Sequence, residues 1–421
     1  MPDHTRISPI LIVHELITIG GGAAGFFGAI NAAEAGASPV LILEKSKQLL
    51  GKVKISGGGR CNVTHHCFDP RELTKRYPRG EKSLIGPFHH FNATDTVSWF
   101  ESRGVELKTE DDGRMFPITD SSQTIIDCLT NSARKAGVEV RTQCGVEKIQ
   151  PLDPEENDGA RFRITIDTGQ TFLTRSVLLA TGGTRLAAGA KLATSLGHTL
   201  VPNVPSLFTF KIEHPLLTDL PGLSVAQTEC HIPSTKLRTD GPLLITHWGV
   251  SGPGILKLSA WGARELAELN YEFTVKINWL PGQDLQGQIQ CLRKDWGKRQ
   301  LSTRCPFPEI PKRLWARFLE LSEIPETTLW SQLGKAQAKS LINWLQQTEL
   351  PVTGKSLNKD EFVTAGGVEL KEVNLKTLES KKHPGLHFAG EILNIDGITG
   401  GFNFQNAWTT AHLAAQAIAF S

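Results

Sequence analysis

The chain has 421 residues, too many for a single hydrophobic core, since cores stop growing at roughly 250–300 residues, so two or three domains are expected. Hydrophobic residues at 39%, charged residues at 21% and 40 glycines exclude a disordered or fibrous chain. Lys and Arg number 45 against 43 Asp and Glu, a formal charge of +2, which excludes a globally basic nucleic-acid coat protein but not a locally basic face.

No apolar run reaches the ~18 residues of a membrane span. Met1 to Arg6 lack the basic, apolar and small-residue zones of a secretory signal. A cytoplasmic protein away from membranes is expected. The seven cysteines are scattered and form no CxxC, so neither a disulfide framework nor a metal site is expected.

Glu15 to Ile19 reads as a short buried strand stopping at Gly20, and the alanine-rich Ala23 to Ala35 as a helix broken at Gly36. Pro39 to Leu43 is a second apolar strand ending at Glu44. Strand, helix and strand within about 30 residues make a βαβ unit with parallel strands. The stretch 51–62 is too glycine-rich for regular structure. Residues 92–104 and 121–136 carry helical spacing; Val138–Val140, Phe162–Ile166 and Phe172–Leu179 read as strands.

After Pro202 short strand-like runs punctuated by proline and glycine fill 204–275, and 284–347 look helical and tryptophan-bearing. From about 360 the α/β character returns, with a strand at Gly385–Ala389 and a helix at Ala407–Ala419. This order implies an α/β domain over 1–200 and 356–421, interrupted by a β-rich insert (201–275) and a helical insert (276–355).

Gly20-Gly21-Gly22-Ala23-Ala24-Gly25 satisfies GxGxxG between a strand and a helix, with Glu44 following at the end of the next strand. Gly20 permits the tight turn, Gly22 lets backbone N–H groups approach a pyrophosphate, and Gly25 allows close helix–strand packing. Glu44, with Lys45 beside it, suits ribose hydroxyls and disfavours a 2′-phosphate, so NADP is not expected in this site. Ala180-Thr181-Gly182-Gly183 ends a later strand without the spacing of a second GxGxxG, which argues against a second dinucleotide domain.

Two further loops favour one extended FAD over a compact NAD. Ser56 to Asn62 contains Gly59, Arg60, Cys61 and Asn62, whose backbone and cation suit phosphate or ribityl oxygens. Gly390-Glu391 leads through Asp396, Gly400, Gly401 and Asn403 into a second helix start that suits negative charge.

These blocks, with Thr246 to Pro253, Thr364 to Val368 and Gln405-Asn406-Ala407, resemble the BaiN/RdsA-like family of NAD(P)/FAD-dependent oxidoreductases (the HI-type, aminoacetone oxidase-like flavoproteins) over residues 15 to 419. The resemblance implies a discontinuous Rossmann-type FAD-binding domain interrupted by a β-barrel-like part and a helical part. It implies non-covalent FAD, held at its ADP half by Gly20, Gly22, Gly25 and Glu44. Arg60, Cys61 and Asn62 would lie near the flavin, and Asp396, Gly400, Gly401 and Asn403 would hold the ribityl chain and ring. NADH or NADPH would be the reductant. Members of this family are linked to dihydrouridine formation in large-subunit ribosomal RNA, enone reduction and amine oxidation, so either an RNA or a small-molecule substrate fits. A flavin-containing RNA-binding factor without activity is the non-enzyme alternative.

Two catalytic candidates stand out. Cys61 is either a proton donor beside the flavin or a small residue packed behind it. His247, in a Pro/Gly-rich loop, is either an acid or substrate anchor or a structural histidine. Residues 281–320 hold eight basic residues against four acids, interleaved with Trp296, Phe307, Trp315 and Phe318. Basic residues among aromatics suit RNA, with Arg293, Arg299 and Arg313 as the expected contacts; the alternative is a solvated helix face over a tryptophan core.

Overall fold

The computed structural model describes residues 12–183, 188–356 and 363–420. These form two compact units, one within Met1–Asn203 and Val363–Ser421, the other within Val204–Phe362.

The first unit is built on a sheet whose parallel core runs Leu386–Phe388, Thr171–Leu179, Val13–Ile19, Val40–Leu43 and Glu139–Arg141. Val40–Leu43 is buried throughout, as expected for a parallel strand covered on both faces. In register, Ile19 pairs with both Leu43 and Leu179, and Leu179 with Phe388. Gly20, Glu44, Ala180 and Ala389 therefore leave adjacent strands at one edge, where ligands of open α/β sheets bind. Val146–Pro151 and Phe162–Ile166 form an antiparallel meander with Thr171–Leu179.

Helix Ala23–Glu34 is buried from Ala24 to Ala32, and a β-carbon on its Gly28 would lie 2.4 Å from Leu178 and 3.6 Å from Ala411. Glycine there lets the helix settle between the sheet and helix Phe402–Ala419. Phe27 packs against Trp408 of that last helix and Trp99 of helix Ala93–Glu101, with ring centroids 5.1 and 4.5 Å away; burying such a ring contributes about 1.5–3 kcal/mol.

Two elements differ from the sequence reading. Gly51–Gly59 contains helical residues up to a kink at Ser56, beyond which Gly57 and Gly58 turn left-handed. The last helix starts at Phe402, five residues before the alanine-rich stretch that signals it.

The second unit is a closed antiparallel barrel of Thr209–Lys211, Gly249–Ser251, Arg238–Thr246, Ser224–His231, Glu272–Asn278 and Thr348–Ser356. Leu243 and Ile245, Val275 and Ile277, and Leu350 and Val352 alternate inward and are buried, the period-two pattern of strands facing a core. Helices Leu285–Asp295, Lys312–Leu321 and Lys335–Gln346 lie between the last two strands. Thr348–Ser356 closes the barrel against Thr209–Lys211, so the insert expected to be helical over 276–355 ends in a barrel strand. Among the described residues, no helix is long and apolar enough to cross a membrane.

Candidate active site

At the sheet edge the glycine turn is close-packed. A β-carbon on Gly20 would lie 2.5 Å from the Ala180 carbonyl oxygen, and one on Gly25 would lie 1.9 Å from that of Gly20. Gly22 is different: nothing lies within 4 Å of its β-carbon position, and it starts helix Ala23–Glu34 with no side-chain cap. The helix presents bare N–H groups and the positive end of its dipole to whatever binds there.

Glu44 holds this turn. Its Oε2 accepts from the Gly21 N–H at 2.7 Å, and its Oε1 accepts from the Ser46 N–H and hydroxyl at 2.8 and 2.7 Å. A carboxylate offers about four lone-pair positions. One therefore remains for a ribose hydroxyl, rather than the two the sequence reading assigns. Gly20, Glu44, Lys45, Thr181 and Gly189 line a cavity of about 80 Å3 at this edge.

The Gly57–Asn62 loop and the start of the last helix are far apart in sequence and adjacent in space. Gly401 has φ +90, and a β-carbon on it would lie 2.5 Å from the Thr64 carbonyl oxygen. The Trp408 indole donates to the Val63 carbonyl at 2.9 Å, and the Thr64 hydroxyl donates to Gln405 Oε1 at 2.6 Å. The Asn62 amide bridges Thr64 O and the Gly401 N–H, both at 2.9 Å. Gly59 has φ +85, and Ala23 is the first residue of its helix.

Several expected cofactor contacts are engaged elsewhere. Arg60 Nη1 donates to Glu110 at 2.5 Å, and its guanidinium lies 3.9 Å over the Phe116 ring. Asp120 lies 3.5 Å from the same guanidinium nitrogen, so Arg60 faces two carboxylates here. Asp396 is fully buried and accepts from Arg79 Nε at 2.6 Å, with a second contact between the same groups. Asn403 bonds both the N–H and the carbonyl of Gly397, at 2.8 and 2.9 Å, which shapes the loop instead of pointing at a ligand. Glu391 receives Lys52 and the Gly183 N–H. Gly390, at φ +75, brings its α-carbon against Ala24, and its N–H donates to the Thr410 hydroxyl at 2.9 Å. Gly182 and Gly400 also lie at positive φ, +76 and +130.

Cys61 is buried at φ +62. Burial pushes its thiol up to about 12, so it keeps its proton at neutral pH and is no thiolate nucleophile. His247 sits in the second unit at an exposed hairpin tip. There it lines a cavity of about 670 Å3 together with Arg313.

The expected RNA contacts divide. Arg299 is exposed, 5.1 Å from the Trp296 ring, and Arg313 is exposed. Arg293 is half-buried and its Nη2 donates to the Leu333 carbonyl, which ties it to the backbone. Phe307, Trp315 and Phe318 are buried, so these rings are core and not stacking platforms.

A family model described as the HI0933-like protein Rossmann domain matches residues 14–417. The chain belongs to this family. It is a flavin-dependent oxidoreductase family with a Rossmann-type FAD-binding fold. A ribosomal RNA dihydrouridine synthase of Escherichia coli (strain K12) is 31% identical over 412 residues, covering 96% of this chain and 97% of the relative. A 3-dehydro-bile acid delta(4,6)-reductase of Clostridium scindens is 32% identical over 412 residues, covering 95% and 98%. A solved 3-ketosteroid-delta4-(5alpha)-dehydrogenase from Rhodococcus jostii RHA1 shares the fold, with TM-score 0.53, 13% identity and 99% coverage of both chains.

The family's cofactor fits the residues present. Asn406 is 1% exposed, yet neither amide atom has a hydrogen-bond partner among the described residues. Its i+4 neighbour Thr410 meets Gly390, so Asn406 lies on the helix face toward the strand ends. Thr181 Oγ1 and Thr364 Oγ1 are buried and without a partner among the described residues as well. Buried polar groups without partners are rare, and polar atoms of a long dinucleotide would satisfy these. Asn406 and Thr364 carry no motif signal of their own. Orphaning is a tertiary property, visible only once the helix is packed.

Proposed function

We propose that this chain uses FAD to pass hydride from NADH or NADPH to an activated C=C bond, and that the acceptor is a uridine of large-subunit ribosomal RNA. The observation that carries the cofactor half is the set of bare N–H groups and orphaned polar atoms along one sheet edge, from Gly22 through Thr181 to Asn406. The RNA half is supported by the E. coli relative's name and by the exposed, unburied cations Arg299 and Arg313.

When bound, the flavin supplies hydride acceptance from the nicotinamide and hydride donation to the substrate. The rest is the work of the chain. Gly20 to Gly25 let the backbone approach the pyrophosphate, and the uncapped helix end at Gly22 balances its charge. The free lone pair of Glu44 accepts one ribose hydroxyl. Asn406 offers one donor and one acceptor, and helix Phe402–Ala419 begins at Gly401 without a side-chain cap, so its dipole favours negative charge at that end. Arg60 and Asp396 act as positioning residues: the Glu110 and Arg79 pairs fix the loops that carry them. Cys61, within the Gly57–Asn62 loop, holds a proton at Sγ. His247 serves as a substrate anchor. The reading places the chain in the cytoplasm, with ribosomal RNA and reduced nicotinamide.

A second reading, reduction of a small conjugated enone, is favoured by the equal similarity to the bile acid reductase. One experiment separates them. The purified holoprotein is incubated with NADH or NADPH and either ribosomal RNA lacking dihydrouridine or an unsaturated 3-ketosteroid. A gain of two hydrogens at one uridine supports the first reading. Reduction of the ketosteroid with unchanged RNA replaces it with the second.

A further inference from the structure

The larger cavity, about 670 Å3, is lined wholly by residues of the barrel unit, and nothing in the cofactor chemistry uses it. Its volume falls within the ~300–1,000 Å3 of small-ligand sites. The hairpin joining Arg238–Thr246 to Gly249–Ser251 forms one wall. Gly249 has φ +145, and a β-carbon there would lie 2.1 Å from the Phe210 carbonyl oxygen, so glycine alone lets the hairpin lie flat on strand Thr209–Lys211. The Ile212 N–H then donates to the Trp248 carbonyl at 2.9 Å. This fixes His247 on the rim and leaves the Trp248 side chain 41% exposed at the tip.

The opposite groups come from helix Lys312–Leu321 and the turn after Lys211. Arg313, in the helix's first turn, is exposed and makes no ion pair or hydrogen bond among the described residues. His214 Nδ1 accepts from the Leu216 N–H at 3.1 Å, so the neutral ring carries its proton on Nε2 and can donate. Glu213 lies 3.5 Å from Lys211 and Asp219 has no partner among the described residues; both line the cavity.

An unpaired guanidinium seeks an oxyanion. The two carboxylates reject a bare anion but accept hydroxyl and ring N–H groups. The exposed indole offers a face for stacking. These demands rule against a wholly apolar ligand and match one unit of a polynucleotide.

We propose, resting on the RNA reading above, that this cavity is a docking subsite for one nucleotide of single-stranded RNA other than the one reduced, with Arg313 on the phosphate, Asp219 and Glu213 on hydroxyl or base N–H groups, and Trp248 stacked on a base.

The test uses the full-length holoprotein and a short uridine-containing single-stranded RNA, with binding followed by anisotropy across a salt series. Arg313→Gln lowers affinity about tenfold, as loss of one charged hydrogen bond does, and reduces the slope of log K against log salt by about 0.7. Arg313→Lys keeps the slope. Trp248→Ala weakens binding about fivefold or more, and Trp248→Phe restores most of it. Bound flavin per chain and melting temperature confirm that each variant is folded. If the unaltered protein binds this RNA but Arg313→Gln and Trp248→Ala match its affinity and slope, the subsite is overturned while the RNA reading stands. If the unaltered protein does not bind it, the RNA reading falls and takes the subsite with it.

Discussion

Gly25 approaches Gly20 so closely that a β-carbon on Gly25 would lie 1.9 Å from the Gly20 carbonyl oxygen, whereas Gly22, between them, has open space on that side. Three glycines of one motif thus do different jobs, two in packing and one at a ligand. Gly25→Ala forces backbone apart and destabilises the chain by about 1–3 kcal/mol or more, with loss of FAD. Gly22→Ala, at φ −92, leaves the melting temperature of the cofactor-free protein unchanged but places a methyl group where the pyrophosphate must approach. Flavin absorbance per chain and thermal melting, measured on both variants, distinguish the two effects.

Asn406 is buried with an unsatisfied amide, a cost of roughly 1–3 kcal/mol in the absence of a partner. Asn406→Leu therefore leaves the cofactor-free protein as stable as before or more so, and weakens FAD binding by about 10-fold or more. Titration of stripped protein with FAD, beside melting of the same preparations, checks both signs. A variant that loses stability while binding FAD normally would assign Asn406 to packing.

The Arg79–Asp396 pair is buried on the carboxylate side and largely covered on the other, at 0% and 13% exposure. Removing one partner of such a pair costs about 3–5 kcal/mol because it leaves a buried charge behind. Asp396→Ala is expected to lower the urea midpoint accordingly. If Asp396 instead served only the cofactor, the urea midpoint of the cofactor-free protein would not move.

Glu372 sets a pH dependence. Burial pushes its carboxyl up, but hydrogen bonds from Lys382 and Thr199 outweigh this and hold it at about 2, below its ordinary 4.5. A depressed acid stabilises the fold above its unfolded value and loses that contribution as pH falls from about 4.5 toward 2. His198, which faces Glu372 at 3.0 Å, is lowered by burial, so charging it as pH falls below 6.5 also acts against the fold. Stability falls on the acid side for both reasons. Glu372→Gln is expected to flatten the limb between pH 4.5 and 2, read from urea midpoints across that range.

The βαβ unit was legible because its signals are local: an apolar run, a glycine turn, an alanine-rich helix and an acid at fixed spacing. The start of the last helix was hidden, since Gly400 and Gly401 precede Phe402 to Asn406 with no helix-forming alanine. Three consecutive glycines masked the helical residues before Ser56. The closing barrel strand carries Pro351 and Gly354, residue types that ordinarily weaken a strand; pairing on both edges holds it as one. Arg60 looked like a free cation because Glu110 lies 50 residues away. Phe307, Trp315 and Phe318 fitted either a stacking surface or a tryptophan core, because spacing alone does not tell a buried ring from an exposed one; all three are in the core.

The central claim is that hydride held on this protein's flavin goes to a uridine in RNA. Its most direct test is anaerobic: the holoprotein is reduced with NADH or NADPH, freed of excess nicotinamide, and mixed with ribosomal RNA lacking dihydrouridine while the flavin absorbance is followed. The account predicts rapid reoxidation by the RNA and not by buffer, with one dihydrouridine formed per flavin. Flavin that stays reduced with RNA, yet is reoxidised by a small enone, would contradict it.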